Sequence, residues 1–418
     1  MKKLDIVAIQ EGTVIPDDVL KKFQLSFLDI GKNANLERVS SFCGVVRRGT
    51  SILVSFPKHY ISLKCFNKLS NSNKLKHIRL ILKSILNYEL NPAYSSFRKK
   101  DDLNTSFSFS SFFNIYGYFQ KYGLYFENRE NIRKGYSGKI SWKDTIQKSQ
   151  KIISDGNLVF LPFLIHQNIS DEDFITKCMV FAINYTEKTF GDLLDLPDNS
   201  SIASRGIESS LKEHTEAVIF KLEMMKREIF KDIDKKLLND LIDFFRGIND
   251  SPHNINDIKH YHFNNVWEKA VESYLNNHFI GIKYDKLIFG NSEKNFNFEK
   301  KILKNYNDAF DHRNDTLQPD HYYLDKDNDV QYIFDSKYYY SITGLNHKQF
   351  VYHMILCNRA KYTYDALIMP SEIPTFTEIH LDLNVRYLPT GQKKVKILLT
   401  HLNTKDVLKS FTRTINTT

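Results

Sequence analysis

The chain has 418 residues, 42% of them hydrophobic and 26% charged, with a net charge of +9. This composition excludes disordered and collagen-like classes, and the length exceeds one ordinary core, so two or three domains are expected. No stretch reaches the ~18 apolar residues of a membrane span, and the opening MKKLDIVAIQEG lacks the apolar run of a secretory leader, which predicts a cytoplasmic protein with no membrane partner.

The excess of Lys and Arg points to a polyanion, nucleic acid before a membrane surface. Cys43, Cys65, Cys178 and Cys357 form no C-x-x-C pair, so neither a disulfide framework nor a zinc site is favoured.

Residues 1–150 read as a β-rich domain. FCGVV (42–46), Arg47-Arg48-Gly49 and SILVSFP (51–57) give a strand, a turn and a strand. A basic amphipathic helix follows, with Leu75, Ile78, Ile81, Leu82 and Ile85 on one face. The aromatic alternation of YGYFQKYGLYF (116–126) suggests a further strand. Gly135, Gly138, Lys139, Trp142 and Lys143 then form a compact basic and aromatic cluster. It reads either as a glycine turn feeding a buried tryptophan or as a loop contacting phosphate or a partner protein.

Residues 151–252 read as a helical scaffold. Val218, Leu222, Met225 and Ile229 keep helical spacing, as do Leu238, Leu241, Ile242 and Phe245. Asn249-Asp250-Ser251-Pro252 marks a boundary. Beyond it His253, His260, His262 and His278 fit no metal-ligand spacing.

Residues 253–418 carry the candidate chemistry. An amphipathic helix, NNVWEKAVESYL (264–275), places Glu268 and Glu272 one turn apart. Two apolar strands joined by the turn DKDND follow, with Pro319-Asp320 on the first and Asp335-Ser336-Lys337 near the end of the second. Asp335 and Lys337 are two apart and project from one face of a strand whose neighbours are apolar on both faces. Charges fixed there are costly unless paired or bound to a metal. The plainer reading is a turn proline, a strand-end carboxylate and a surface lysine. The sharper one is a hard oxygen site for Mg²⁺, with Mn²⁺ as the substitute, where Lys337 stabilises charge on a phosphoryl oxygen. A helix over 345–360, a short buried strand at 364–370 and a basic tail complete the domain.

PD…DSK after a Trp-Glu helix resembles the PD-(D/E)xK nuclease fold, a mixed sheet flanked by helices. FCGVV…FPKHY (42–60) and GYSGKISWKDTI (135–146) resemble the LlaJI family of restriction endonucleases, related in plan to McrC. The resulting fold class is a multidomain α+β or α/β chain: a β-rich N-terminal domain, a helical middle and a C-terminal nuclease domain. The resemblance implies that Asp320 and Asp335 ligate the metal, that Lys337 is the catalytic lysine, and that Glu268, or its competitor Glu272, is the third carboxylate. Gln349 and Tyr352 resemble an accessory Gln…Tyr helix, although their spacing is three where four is usual, and packing remains open for Tyr352. Lys139, Trp142 and Lys143 are candidate contacts to DNA or to the partner. The implied partners are double-stranded DNA, a separately encoded McrB-type AAA+ GTPase and a DNA methyltransferase of the same bacterial defence system. Two competing functions are a non-catalytic adaptor that stimulates a nucleotide-driven partner, and a nuclease acting on RNA or branched DNA.

Overall fold

The computed structural model describes residues 4–97, 102–105, 107–125, 129–154, 157–169, 174–194, 202, 208–249, 255–290, 296–300, 318–388 and 394–413. Two compact units divide the chain: one contains residues 1–106, 193–195 and 252–418, the other residues 107–192 and 196–251. The first unit therefore joins segments from both ends of the sequence.

Its first sheet shows why. Strands β1 (Asp5–Gln10), β2 (Cys43–Arg48), β3 (Ser51–Phe56), β4 (Leu103–Thr105) and β5 (Ile255–His260) lie in the order β1-β3-β2-β5-β4. The β2–β3 hairpin is the strand–turn–strand legible in the sequence, and its Val45, Val46, Ile52, Leu53 and Val54 are buried. β5 runs antiparallel to both β2 and β4, although some 150 residues separate it from β4 in the chain. Gly44 makes the β2–β5 approach possible. Its φ is +138°, and a Cβ there would stand 2.0 Å from the carbonyl oxygen of Ile258. Only glycine fits.

Helix α1 (Asn71–Leu90) buries Ile78, Ile81, Leu82 and Ile85, the predicted face, and Ser70 caps it by accepting from the Asn73 N–H.

The second sheet contains β6 (His321–Asp325), β7 (Val330–Ser336), β8 (Tyr362–Ser371), β9 (Phe376–Leu383) and β10 (Val395–Asn403), in the order β6-β7-β8-β10-β9. β6 and β7 form an antiparallel hairpin, while β7, β8 and β10 are mutually parallel. Helix α2 (Phe263–His278) packs with α1 and with α4 (Thr404–Arg413), and α3 (His347–Leu356) lies against β7 and β8 as their crossover. β7 is buried on both faces. Tyr332 and Phe334 join an aromatic cluster with Phe279, Phe296 and Phe298, while Ile333 packs with Tyr322, Tyr352 and Leu356. Asp335, two residues on from Ile333, projects toward the α3 side.

In the other unit, the segment over 116–122 expected as strand is helical, part of Phe109–Tyr122. Phe109, Phe112 and Ile115 recur at intervals of three and form a buried helical face, which outweighs the aromatic β-propensity. The expected helical stretch opens instead with strands Gln150–Ser154, Asn157–Leu161 and Leu164–Ile169, and becomes helical at Phe174–Leu194. Leu238, Leu241, Ile242 and Phe245 are buried along Asp232–Asn249 as predicted. The helix carrying Val218 and Leu222 ends at Lys226, so Ile229 lies beyond it. Set beside the expected division at 150 and 252, the compact units change over near 106 and 252, because β5 returns to the sheet of β2 and β4. Among the described residues no helix is long and apolar enough to cross a membrane.

Candidate active site

The chemistry gathers where β7 ends and β6 begins. Asp320 precedes β6 directly, and its Oδ2 accepts the backbone N–H of Ser336 at 3.1 Å, which fixes it beside the end of β7. Asp335 is fully buried, and its carboxylate meets the Lys337 ammonium and, at 3.3 Å, that of Lys348 from α3. Lys337 is held by its own backbone, whose N–H donates to Ile368 O of β8 at 2.8 Å. The sheet thus brings Asp320, Asp335 and Lys337 together. The two aspartates also lie within hydrogen-bonding reach of one another.

Two carboxyls this close and this dry cannot both ionise easily. Burial, then the neighbouring Asp335 and Glu268, push Asp320 up to about 8. Burial also acts to raise Asp335, but Lys337, the hydrogen bond from Asp320 and Lys348 outweigh it and hold Asp335 below the usual carboxylate range. The pair is asymmetric: Asp320 is the carboxyl that favours the proton and Asp335 the one held toward its charged form.

Glu268 and Glu272 separate clearly. Lys300 donates to Glu268 Oε1 at 2.8 Å and stands 3.8 Å from Asp320 Oδ1, linking Glu268 to the aspartates. Glu272 instead accepts from the buried Lys269 at 2.8 Å; burial raises it, against the pull of Lys269. Glu268 is the glutamate directed at the site.

Gln349 and Tyr352 lie on α3 beside the site and are buried. Gln349 Nε2 donates to Ile333 O at 2.8 Å and to Asp365 Oδ1 at 3.0 Å, and His353 Nδ1 lies 2.5 Å from Asp365 Oδ2. Gln349 and His353, one helical turn apart, therefore grip a fully buried aspartate behind the reactive strand. Tyr352 donates to Gln318 O at 2.8 Å and so steadies the approach to Asp320.

Lys139, Trp142 and Lys143 belong to the other unit. Trp142 opens helix Trp142–Lys148 and is 55% exposed, so the buried-tryptophan reading does not hold. Among the histidines, His260 faces Glu89, His262 faces Asp102 and His278 faces Ser410, while His253 lies outside the described residues.

Lys300, Lys348 and His321 were not singled out from the sequence. His321 is buried beside Asp320, with Nε2 2.7 Å from Ser336 Oγ, and burial lowers it to about 3. Lys348 carried a faint signal, since it sits one turn before Tyr352 on α3, its ammonium 5.3 Å from that ring.

The donor set suits a hard divalent cation: two adjacent carboxylates, one of them raised by the other, with a third a single ammonium away. Among the described residues no three His, Cys, Asp or Glu side chains already converge as a cage. The Lys300 ammonium lies 2.8 Å from Glu268 and 3.8 Å from Asp320.

The family profile of the LlaJI restriction endonuclease matches residues 42–372. Compared with curated proteins, the sequence matches none. Among solved structures, a chain of the half-complex from the tetradecameric assembly of Thermococcus gammatolerans McrB AAA+ hexamers with bound McrC is similar at 13% identity and a TM-score of 0.42, covering 98% of this chain and 99% of that one. A chain of the Thermococcus gammatolerans McrBC complex is similar at 12% identity and a TM-score of 0.25, covering 64% and 88% respectively.

Proposed function

The chain belongs to the LlaJI restriction endonuclease family, and from that we propose that it is a subunit whose second sheet, with α2 and α3, forms a PD-(D/E)xK nuclease core cutting double-stranded DNA with Mg²⁺. The observation that carries this is the meeting of Asp320, Asp335 and Lys337 at the end of one buried strand.

Asp320 and Asp335 would hold the metal, with Glu268 as the third carboxylate. Bound there, Mg²⁺, or Mn²⁺ in its place, supplies Lewis acidity at a phosphoryl oxygen and lowers the pKa of water. Of the two, Asp335 is held toward its charged form by Lys337 and Lys348, while Asp320 favours the proton until a cation offsets its carboxylate neighbours. Lys337, held between Asp335 and the β8 backbone, presents a fixed positive charge where a phosphate oxygen gains negative charge. Lys348 adds a second positive charge that reaches the site from a half-exposed position.

The family resemblance further implies an energy source on another chain, and the partner we propose is a McrB-type AAA+ GTPase, with host DNA protected by a separate methyltransferase. No G-K-[ST] phosphate loop occurs in the 418 residues, in keeping with that division of labour.

The test incubates the protein and its GTPase partner with duplex DNA, single strands and RNA in the presence of Mg²⁺. Cleavage of duplex DNA by the wild type, lost in Asp335→Ala and Lys337→Ala, is expected. Equal cleavage by Asp335→Ala would sink the assignment, and preferential cutting of RNA would move it to another substrate.

A further inference from the structure

Lys300 does not sit in the site as a stray surface lysine. The residues leading to it are pinned on two sides. Phe298 exchanges hydrogen bonds with the Asn276 side chain at 2.6 and 3.1 Å, and Glu299 forms a two-bond bridge with Tyr322 of β6. The Lys300 N–H itself is held by the Glu272 carboxylate. Its side chain is only 21% exposed and ends 2.8 Å from Glu268 and 3.8 Å from Asp320.

Charge counting explains the placement. Lys337 and Lys348 both serve Asp335. Glu272 is taken by Lys269. Glu268 and the Asp320 oxygen not engaged by Ser336 would face each other across a half-buried gap, and Lys300 is the cation that fills it.

We propose that Lys300 is a built-in counter-cation of the metal site: its ammonium occupies the position between Glu268 and Asp320 that a divalent ion takes, so metal binding must displace it and Glu268 joins the metal only as Lys300 leaves. This rests on the metal-site reading given above. It has two physical consequences. Glu268 keeps a cationic partner when no metal is bound. Metal affinity is lower than the bare carboxylates would provide, because each ion competes with a tethered ammonium at high local concentration.

Mn²⁺ alone is the probe, titrated into the full chain and followed by the electron paramagnetic resonance signal of the free ion. Wild type, Lys300→Gln, Lys300→Arg and Asp335→Asn are compared. Removing the competitor in Lys300→Gln is expected to tighten Mn²⁺ binding about tenfold, Lys300→Arg to restore the wild-type affinity, and Asp335→Asn to abolish specific binding. A merely structural defect would weaken binding, so the gain is diagnostic. If Asp335→Asn loses Mn²⁺ while Lys300→Gln binds no tighter than wild type, the counter-cation role is overturned and the metal site stands. If wild type binds no more Mn²⁺ than Asp335→Asn, the metal site itself fails, and the inference with it. Should Lys300→Gln not fold, wild-type protein decides through amine labelling read by mass spectrometry. Saturating Mn²⁺ should raise modification of Lys300 several-fold and leave Lys269 unchanged, and an unaltered Lys300 signal overturns the proposal.

Discussion

Tyr338 donates its phenolic proton to the Glu11 carboxylate at 2.7 Å. The same hydroxyl accepts the Lys58 N–H at 2.9 Å, and the Lys58 ammonium reaches back to Tyr338 O at 3.3 Å. Tyr338 immediately follows Lys337, so the end of the reactive strand is tied to the edge of the first sheet. Burial, then Cys43 and Glu11, hold the phenol well above its usual range, so it stays a neutral donor. Tyr338→Phe removes that donor and leaves Glu11 and the Lys58 N–H short of a partner. It should cost about 1–3 kcal/mol, read as a lower urea midpoint. An unchanged midpoint would mean the tie contributes nothing.

Glu268 and Glu272 should part company under substitution. Glu268→Gln is expected to reduce metal-dependent cleavage on the order of 100-fold while the protein stays folded. Glu272→Gln leaves the buried Lys269 without its carboxylate, so it should cost up to about 3 kcal/mol of stability yet leave cleavage per folded molecule nearly intact. Denaturant melts run beside cleavage assays separate the two, and a reversed pattern would make Glu272 the third carboxylate.

His321 predicts acid sensitivity. Burial lowers its folded pKa to about 3 from an ordinary 6.5, so the unfolded chain takes up the proton first as pH falls. The stability from the neutral ring is complete above pH 6.5 and is lost progressively down to about 3. Between pH 6.5 and 5 the loss should be about 1–2 kcal/mol. Asp320 acts with the opposite sign. Its folded pKa is raised to about 8 from 3.8, so its contribution is present at low pH and fades as pH rises through that window. Comparing urea midpoints of wild type and His321→Gln at pH 5 and 7 isolates the histidine. Equal pH slopes would contradict its buried neutral state.

Gln349 is tied into the fold behind Asp335. Its amide holds Ile333 O and Asp365, two positions behind the reactive carboxylate. Gln349→Ala should lower stability by about 1–3 kcal/mol through the partners it strands. Cleavage by the folded fraction should fall less than tenfold, whereas a larger fall at full stability would place the amide in the reaction.

Much of this site could be read from the letters. Asp320, Asp335 and Lys337 were findable because a strand apolar on both faces makes any charge in it conspicuous, and the DKDND turn sets the hairpin register. Lys300 could not be found this way. It lies twenty residues before Asp320 in no recognisable pattern, and tertiary contacts such as the Phe298–Asn276 and Glu299–Tyr322 bonds bring it there. The helix at Phe109–Tyr122 was misread because aromatic residues favour strands in isolation, while their spacing by threes carried the weaker, correct signal. The grouping of the chain was hidden for a different reason: the pairing of Ile258 with Thr105 and Val45 is decided by partners far away in sequence.

That pairing also sets what can be exchanged. β4 and β5 are neighbours in one sheet, with Thr105 at the end of β4 opposite Ile258 of β5. Between Thr105 and Ile255 the chain adds no strand to this sheet among the described residues. An exchange of the intervening chain that keeps both strands would leave the pairing of β5 with β4 and with β2 intact. A break after residue 250 would instead strip β5 from between β2 and β4 and leave Gly44 facing nothing.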